Sequence, residues 1–229
     1  MHDDTQRTTR YRDMTPLSSS LVGQRVTHNP QRNRLIETLG KYRFKSALEI
    51  GCNVGACIGR VKSELIPEGY CAGIDFNVPS VEHAPERNPG VDYRAMDAED
   101  ICEHFEPGQF DLIFTVACLM HCGADLWQAV CGNILRLEPK LILHHEPQGE
   151  ERLIRELPLG RIWRASKYSE SPLPDRSDDE IVYFQRYHNY ICYYAQEGRF
   201  PLNISYNPEE LSQCAEVVVV LDDNVRRQA

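Results

Sequence analysis

With 229 residues, 41% of them apolar and 26% charged, the chain is long enough for one globular domain with a substantial core. Its 25 basic and 34 acidic residues leave a formal charge of −9, which argues against a protein that grips a nucleic-acid backbone by counterion release. No stretch approaches the roughly 20 apolar residues of a membrane helix, the polar start is not that of a secretory signal, and the nine cysteines include no CxxC pair, so the expectation is a reduced, cytoplasmic domain.

Residues 1–33 lack periodicity and read as an N-terminal arm, with 34–229 as the domain proper and 150–200 as a lid or helical insertion. Leu35, Ile36 and Leu39 then mark a short amphipathic helix ending near Gly40. Residues 46–50 form a short apolar strand that runs into Gly51-Cys-Asn-Val-Gly55, after which Ile58, Val61, Leu65 and Ile66 recur at helical spacing until Pro67. Further strands are expected at 70–75, 91–96, 110–116 and 140–144, with a helix over 124–137. Strands alternating with helices predict an α/β fold: a doubly wound, mostly parallel seven-stranded sheet with right-handed crossovers.

Beyond Pro147 the rhythm changes. A helix is expected over 150–157, then a connection rich in Pro, Ser and Arg. Ser177-Asp-Asp-Glu180 is a capping box that opens a long helix to Gly198, whose tyrosines suit a core or a dimer surface better than a substrate cage. Residues 203–206 and 216–221 supply two final strands.

The turn after the first strand carries the most information. Gly51 permits a tight bend, and Gly55 leaves room for a ligand at the helix start. Residue 53 is Asn, so the G-x-G-x-x-G fingerprint of a dinucleotide site is absent, and a carboxylate, Glu49, precedes the turn instead. A carboxylate suits a cationic ligand better than a phosphate. Asp75 and Asp97 end the second and third strands. One Asp after a strand is ordinarily a helix cap, but three acids after three successive strands suggest a shared ligand.

This combination resembles the class I S-adenosylmethionine-dependent methyltransferases, over residues 34–147, with a subfamily likeness to small bacterial sugar-type enzymes in the turn and in Phe114-Thr-Val-Ala-Cys-Leu-Met-His121. The resemblance implies S-adenosylmethionine as cofactor and S-adenosylhomocysteine as product. It implies that Glu49, Gly51, Cys52, Asn53 and Gly55 hold the methionine part, Asp75 and Phe76 the ribose side, and Asp97 and Ala98 the adenine, with Val116 also on the cofactor. The family's glycines around Pro139 are missing.

Methyl transfer to a hydroxyl needs a base. His121, just after the fourth strand, is the first choice, with His145 second; His144, Glu146, Tyr11 and His28 are also placed to serve, and one of the paired histidines suits the core. Cys118, His121 and Cys122 lack the second half of a zinc site, so no metal is expected. Arg152, Arg155, Arg161 and Arg164 read either as a solvated helix face or as recognition of an acidic acceptor. The missing Asn/Asp-Pro-Pro-Tyr loop, with the acidic charge, disfavours nucleic acid as substrate. The expected partner is a small-molecule acceptor, acidic or a sugar, methylated on oxygen by a monomer or homodimer. Two other readings stay open: a methyltransferase-like subunit that binds without turnover, and a nicotinamide oxidoreductase, disfavoured by the absence of both G-x-G-x-x-G and a Tyr-x-x-x-Lys pair.

Overall fold

In the computed structural model the described residues are 30–122, 124–147, 162–163, 186–187, 190–199, 203–206 and 214–225. Nine strands are found among them: β1 (Ser46–Ile50), β2 (Tyr70–Asp75), β3 (Asp92–Ala95), β4 (Leu112–Val116), β5 (Leu141–Pro147), β6 (Ile162–Trp163), β7 (Arg186–Tyr187), β8 (Asn203–Tyr206) and β9 (Cys214–Val220). Helices α1 (Pro30–Leu39), α2 (Ala56–Arg60), α3 (Val78–Arg87), α4 (Ile101–His104), α5 (Ala124–Arg136) and α6 (Tyr190–Gln196) accompany them. Seven strands share one sheet in the order β3-β2-β1-β4-β5-β9-β8, and β6 pairs with β7 apart from it. Neighbours from β3 through β5 are parallel, while β9 runs antiparallel to both β5 and β8. The doubly wound α/β class expected from the alternation is what the chain adopts.

The reason lies in strands that are apolar on both faces. In β4, Ile113 enters one core layer, with Trp127, Val130 and Ile134 of α5 and Tyr190 and Tyr194 of α6. Its neighbours Leu112 and Phe114 enter the other, with Leu35, Ile36 and Leu39 of α1 and Ile58 of α2. β9 divides in the same way, Val217 and Val219 to the α5/α6 layer and Val218 to the α1/α2 layer. Each such side chain contributes about 1.5–3 kcal/mol by leaving water. Helix α2 passes into a π-helical turn, Val61–Leu65, and stops at Ile66, which leaves the helical region (φ −137°, ψ 61°) ahead of Pro67.

Several boundaries differ from expectation. Helix α1 begins at Pro30, inside the stretch read as arm; proline suits a first helical turn. Strand β5 continues to Pro147 because β9 pairs with it from Leu141 through Pro147. The long helix expected from Ser177 is corrected where it is described: Arg186–Tyr187 pairs with Ile162–Trp163 as strand, and Tyr190–Gln196 is helical as expected. Local periodicity favoured a helix there, and a long-range strand partner overrode it. The helix expected at 150–157, most of the 150–200 insertion, the four arginines, Tyr11 and His28 lie outside the described residues. No described helix is long and apolar enough to cross a membrane.

Candidate active site

Parallel strands β1 to β4 place their carboxyl ends on one edge of the sheet. The strand order reverses between β1 and β4, so the chain leaves these neighbours in opposite directions and opens a crevice between their ends. The glycine turn, Asp75, Asp97 and the segment after β4 all emerge there.

The turn is curled by three left-handed residues, Gly51 (φ 77°), Asn53 (φ 50°) and Gly55 (φ 76°). All five of its amide groups donate inside the chain. Those of Gly51 and Cys52 reach the Ile74 carbonyl at 2.8 and 2.9 Å, and that of Gly55 reaches the Cys52 carbonyl at 2.8 Å. The Asn53 N–H donates to Asp75 Oδ2 at 2.8 Å, and the Val54 N–H to Asn53 Oδ1 at 2.8 Å. A diphosphate needs such amides unspent. Here none is left for it.

The two glycines have different jobs. A Cβ on Gly51 would overlap the Cys118 side chain, so Gly51 lets the segment after β4 lie against the turn. A Cβ on Gly55 would overlap the Tyr93 ring, so this glycine packs α2 against β3. The expectation that Gly55 clears space for a ligand is therefore corrected to helix–strand packing, because a side chain from β3 already occupies that space. The Cys52 thiol likewise lies in the α1/α2 layer, against Gly73.

Glu49 is buried, and its Oε2 accepts the Ile58 N–H at 2.8 Å. Burial pushes its pKa up to about 8. The carboxyl thus holds the first turn of α2 and is mostly protonated at neutral pH, so the expected negative charge toward a cationic ligand is replaced by a bracing role. On the other face, desolvation pushes His144 down to about 3. For Glu49 the folded state keeps a proton that the unfolded chain releases, so its contribution is present below pH 4.5 and lost as pH rises to 8. For His144 the folded state refuses a proton that the unfolded chain takes, so its contribution is present above pH 6.5 and lost as pH falls to 3. Urea denaturation of Glu49→Gln is expected to remove about 2 kcal/mol of the stability loss between pH 6.5 and 8, leaving the acid limb in place. Parallel alkaline limbs for the two proteins would refute this.

Asp75 is buried at the end of β2. Its Oδ2 braces Asn53, and Oδ1 accepts the Asn77 N–H at 2.9 Å. Burial raises its pKa and these two donors oppose the rise. Each carboxylate oxygen retains acceptor capacity. Phe76 follows, half-buried, and Asn77 caps α3 by accepting the Ser80 N–H at 2.9 Å. Asp97 precedes the short helical turn Ala98–Asp100 without a side-chain cap bond, and Ala98 packs on the α5/α6 layer. Val116 packs on the α1/α2 layer.

After β4, Ala117 adopts φ 49° and the one-turn segment Leu119–His121 follows. Glu146, fully buried at the end of β5, accepts the N–H groups of Cys118, Leu119 and Met120 at 2.9, 3.2 and 3.2 Å. His144 is the core histidine: its Nδ1 lies 2.9 Å from Thr115 Oγ1, its Nε2 lies 2.7 Å from the Tyr194 hydroxyl, and its ring stacks on Tyr190. His145 points to the opposite layer, where its Nδ1 lies 3.5 Å from Glu216 Oε1. Glu216 also accepts the Thr38 hydroxyl proton at 2.6 Å and sits 3.8 Å from Arg34. At 2% exposure His145 belongs to a buried charge cluster tying α1 to β5 and β9, which moves it out of the catalytic role expected of it. Sequence inspection missed this Glu146 cradle and the Tyr93 packing; the acid at the tip of β5 was the visible signal for the first. Among the described residues no group of His, Cys, Asp and Glu is arranged to hold a metal ion.

Residues 47–138 match the family model described as a methyltransferase domain. The match runs from β1 through α5, the segment that carries the glycine turn and the acids of the crevice, and this segment is similar to methyltransferase domains. Over 123 residues the chain is 31% identical to the ubiquinone biosynthesis O-methyltransferase of Mesorhizobium japonicum, covering 50% of this chain and 44% of that one. It thus spans less than half the length of this curated relative. Solved structures of methyltransferases share the fold at low identity. Magnesium protoporphyrin IX methyltransferase of Synechocystis PCC 6803, with bound S-adenosylhomocysteine, matches with a TM-score of 0.62 at 10% identity, over 95% of this chain and 99% of that one. The N-methyltransferase NodS of Bradyrhizobium japonicum WM9 matches with a TM-score of 0.59 at 14% identity, over 94% and 96%.

Proposed function

We propose that this chain is an S-adenosylmethionine-dependent enzyme that methylates a hydroxyl oxygen of a small-molecule acceptor. The observation that carries the reading is the turn in which all five amides are spent internally, beside an acid with acceptor capacity left. That arrangement suits a nucleoside whose remaining part is cationic and free of phosphate. The same feature speaks against a nicotinamide dinucleotide. The Gly51–Gly55 turn would hold the methionine part, Asp75 the ribose hydroxyls, and Asp97 with Ala98 the adenine. When bound, S-adenosylmethionine supplies a methyl group on a sulfonium, which leaves as S-adenosylhomocysteine.

The chain's own contribution is alignment and proton removal. Holding an acceptor oxygen in line supplies several powers of ten in rate. His121 takes the hydroxyl proton as the new C–O bond forms. Oxygen as acceptor atom accords with the name of the curated relative, and an acidic molecule or a sugar accords with the arginines at 152–164 and with the small-molecule class. A chain of net charge −9 is a poor partner for nucleic acid, and nine cysteines suit a reduced cytoplasm.

Calorimetric titration with S-adenosylhomocysteine is expected to give saturable binding, and a panel of sugars, phenols and hydroxy acids to give at least one methyl ether. In that assay His121→Ala is expected to lower kcat by roughly 10²–10⁴-fold with cofactor affinity retained. No cofactor binding would sink the reading. Binding with no product across the panel would favour a non-catalytic subunit.

A further inference from the structure

The methyltransferase reading places the acceptor beside the segment after β4 but leaves open what keeps that segment in place. We propose that Glu146 is a positioning residue: its buried carboxyl group, bonded to three successive backbone amides, holds Cys118–His121 in the geometry that serves the acceptor. The inference rests on that reading for its catalytic consequence, and on the structure for its geometry.

Three donors converge on this one carboxyl group: the backbone N–H groups of Cys118, Leu119 and Met120, the first two on Oε1 and the third on Oε2. Burial raises the pKa of Glu146 and the donors oppose the rise. Three successive amides on one carboxyl are the donor set of an anion, which accepts and never donates.

On the same face of the sheet, His144 Nδ1 lies 2.9 Å from Thr115 Oγ1 and its Nε2 lies 2.7 Å from the Tyr194 hydroxyl. Desolvation keeps His144 neutral. Tyr194 lies on α6, in the layer that also holds Trp127 of α5. Hydrogen bonds thus link α6 to β5 and β5 to β4, while Glu146 ties β5 to the backbone that leads into His121. The β4–β5 register sets Thr115 directly opposite His144, and Glu146 follows two residues later on the same face.

Hydrogen exchange and kinetics on the full chain test this. In Glu146→Gln the amide NH₂ can no longer accept, and protection of the amides of 118–120 is expected to fall at least tenfold while that of Leu112–Thr115 stays unchanged. S-adenosylhomocysteine affinity is expected to stay within threefold of wild type, and kcat for whichever acceptor is turned over to drop at least tenfold. Glu146→Asp, a milder variant if Glu146→Gln folds poorly, keeps the acid on a shorter stem and is expected to lower protection at 118–120 and kcat in the same direction by smaller factors. Unchanged exchange at 118–120 in both variants overturns the proposal whether or not an acceptor is known. Loosened amides with undiminished turnover overturn it too. Failure to find any methylated product bears on the proposed function alone, since the exchange readout needs no substrate.

Discussion

Gly51→Ala is expected to destabilise the protein by about 2–5 kcal/mol. Two separate effects combine. Gly51 sits at φ 77°, where an L-residue with a Cβ costs about 1–2 kcal/mol. The new Cβ would also overlap both Sγ and Cβ of Cys118, and forcing atoms into a filled space costs a further ~1–3 kcal/mol. A double-mutant cycle separates them. Cys118→Ala in the Gly51→Ala background removes the sulfur but keeps the Cβ, so it should recover only part of the overlap term. Cys118→Gly removes both and should leave the backbone cost alone, read as a favourable coupling of about 1–3 kcal/mol in urea denaturation. Strict additivity of the two changes would show that the segment after β4 does not press on the turn.

Asp75→Ala is expected to be the most damaging change to ligand binding. The carboxylate holds two amides, those of Asn53 and Asn77, at 2.8 and 2.9 Å. Deleting it orphans two partly buried donors, at about 1–3 kcal/mol each. It also releases the one residue of the turn tied to the end of β2 by a side chain, and removes the proposed ribose acceptor. Calorimetry with S-adenosylhomocysteine is expected to show affinity weakened by about 100-fold or more, near 3 kcal/mol. Asp75→Asn keeps the size but sets an NH₂ group against one backbone donor, so it should fall between wild type and alanine. Wild-type affinity in Asp75→Asn, with stability lowered, would reduce Asp75 to a scaffold residue.

Strands β1, β2 and β4 were legible because buried parallel strands read as mostly apolar runs, the first closed by Gly51 and the second by Asp75. The tight bend at Gly51 was legible for the same local reason. What lay hidden depended on partners far away in sequence. Gly55 reads as ligand space until Tyr93 from β3 is seen beneath it. Glu49 reads as a charge toward the crevice until its bond to Ile58 and its burial are known. Strand alternation says that His144 and His145 face opposite layers, but only the pairing of His145 with Glu216 on β9 tells which layer is which. The extra length of β5 and the strand at Arg186–Tyr187 inside the expected helix have one common cause, strand pairing with distant residues that no local pattern reports.

The antiparallel seat of β9 between β5 and β8 has a consequence for how the chain assembles. Strands β1 to β5 can zip together through short crossovers, whereas β5 must wait for a partner delivered over a long connection, which loop-closure entropy delays. During that wait β5 is a bare border of the growing sheet, where a second nascent molecule could add itself. Its outer half is guarded by composition: His144, His145 and Glu146 stand in succession where aliphatic residues would invite such growth, and they become interior only when Val217, Glu216 and Ala215 arrive opposite them.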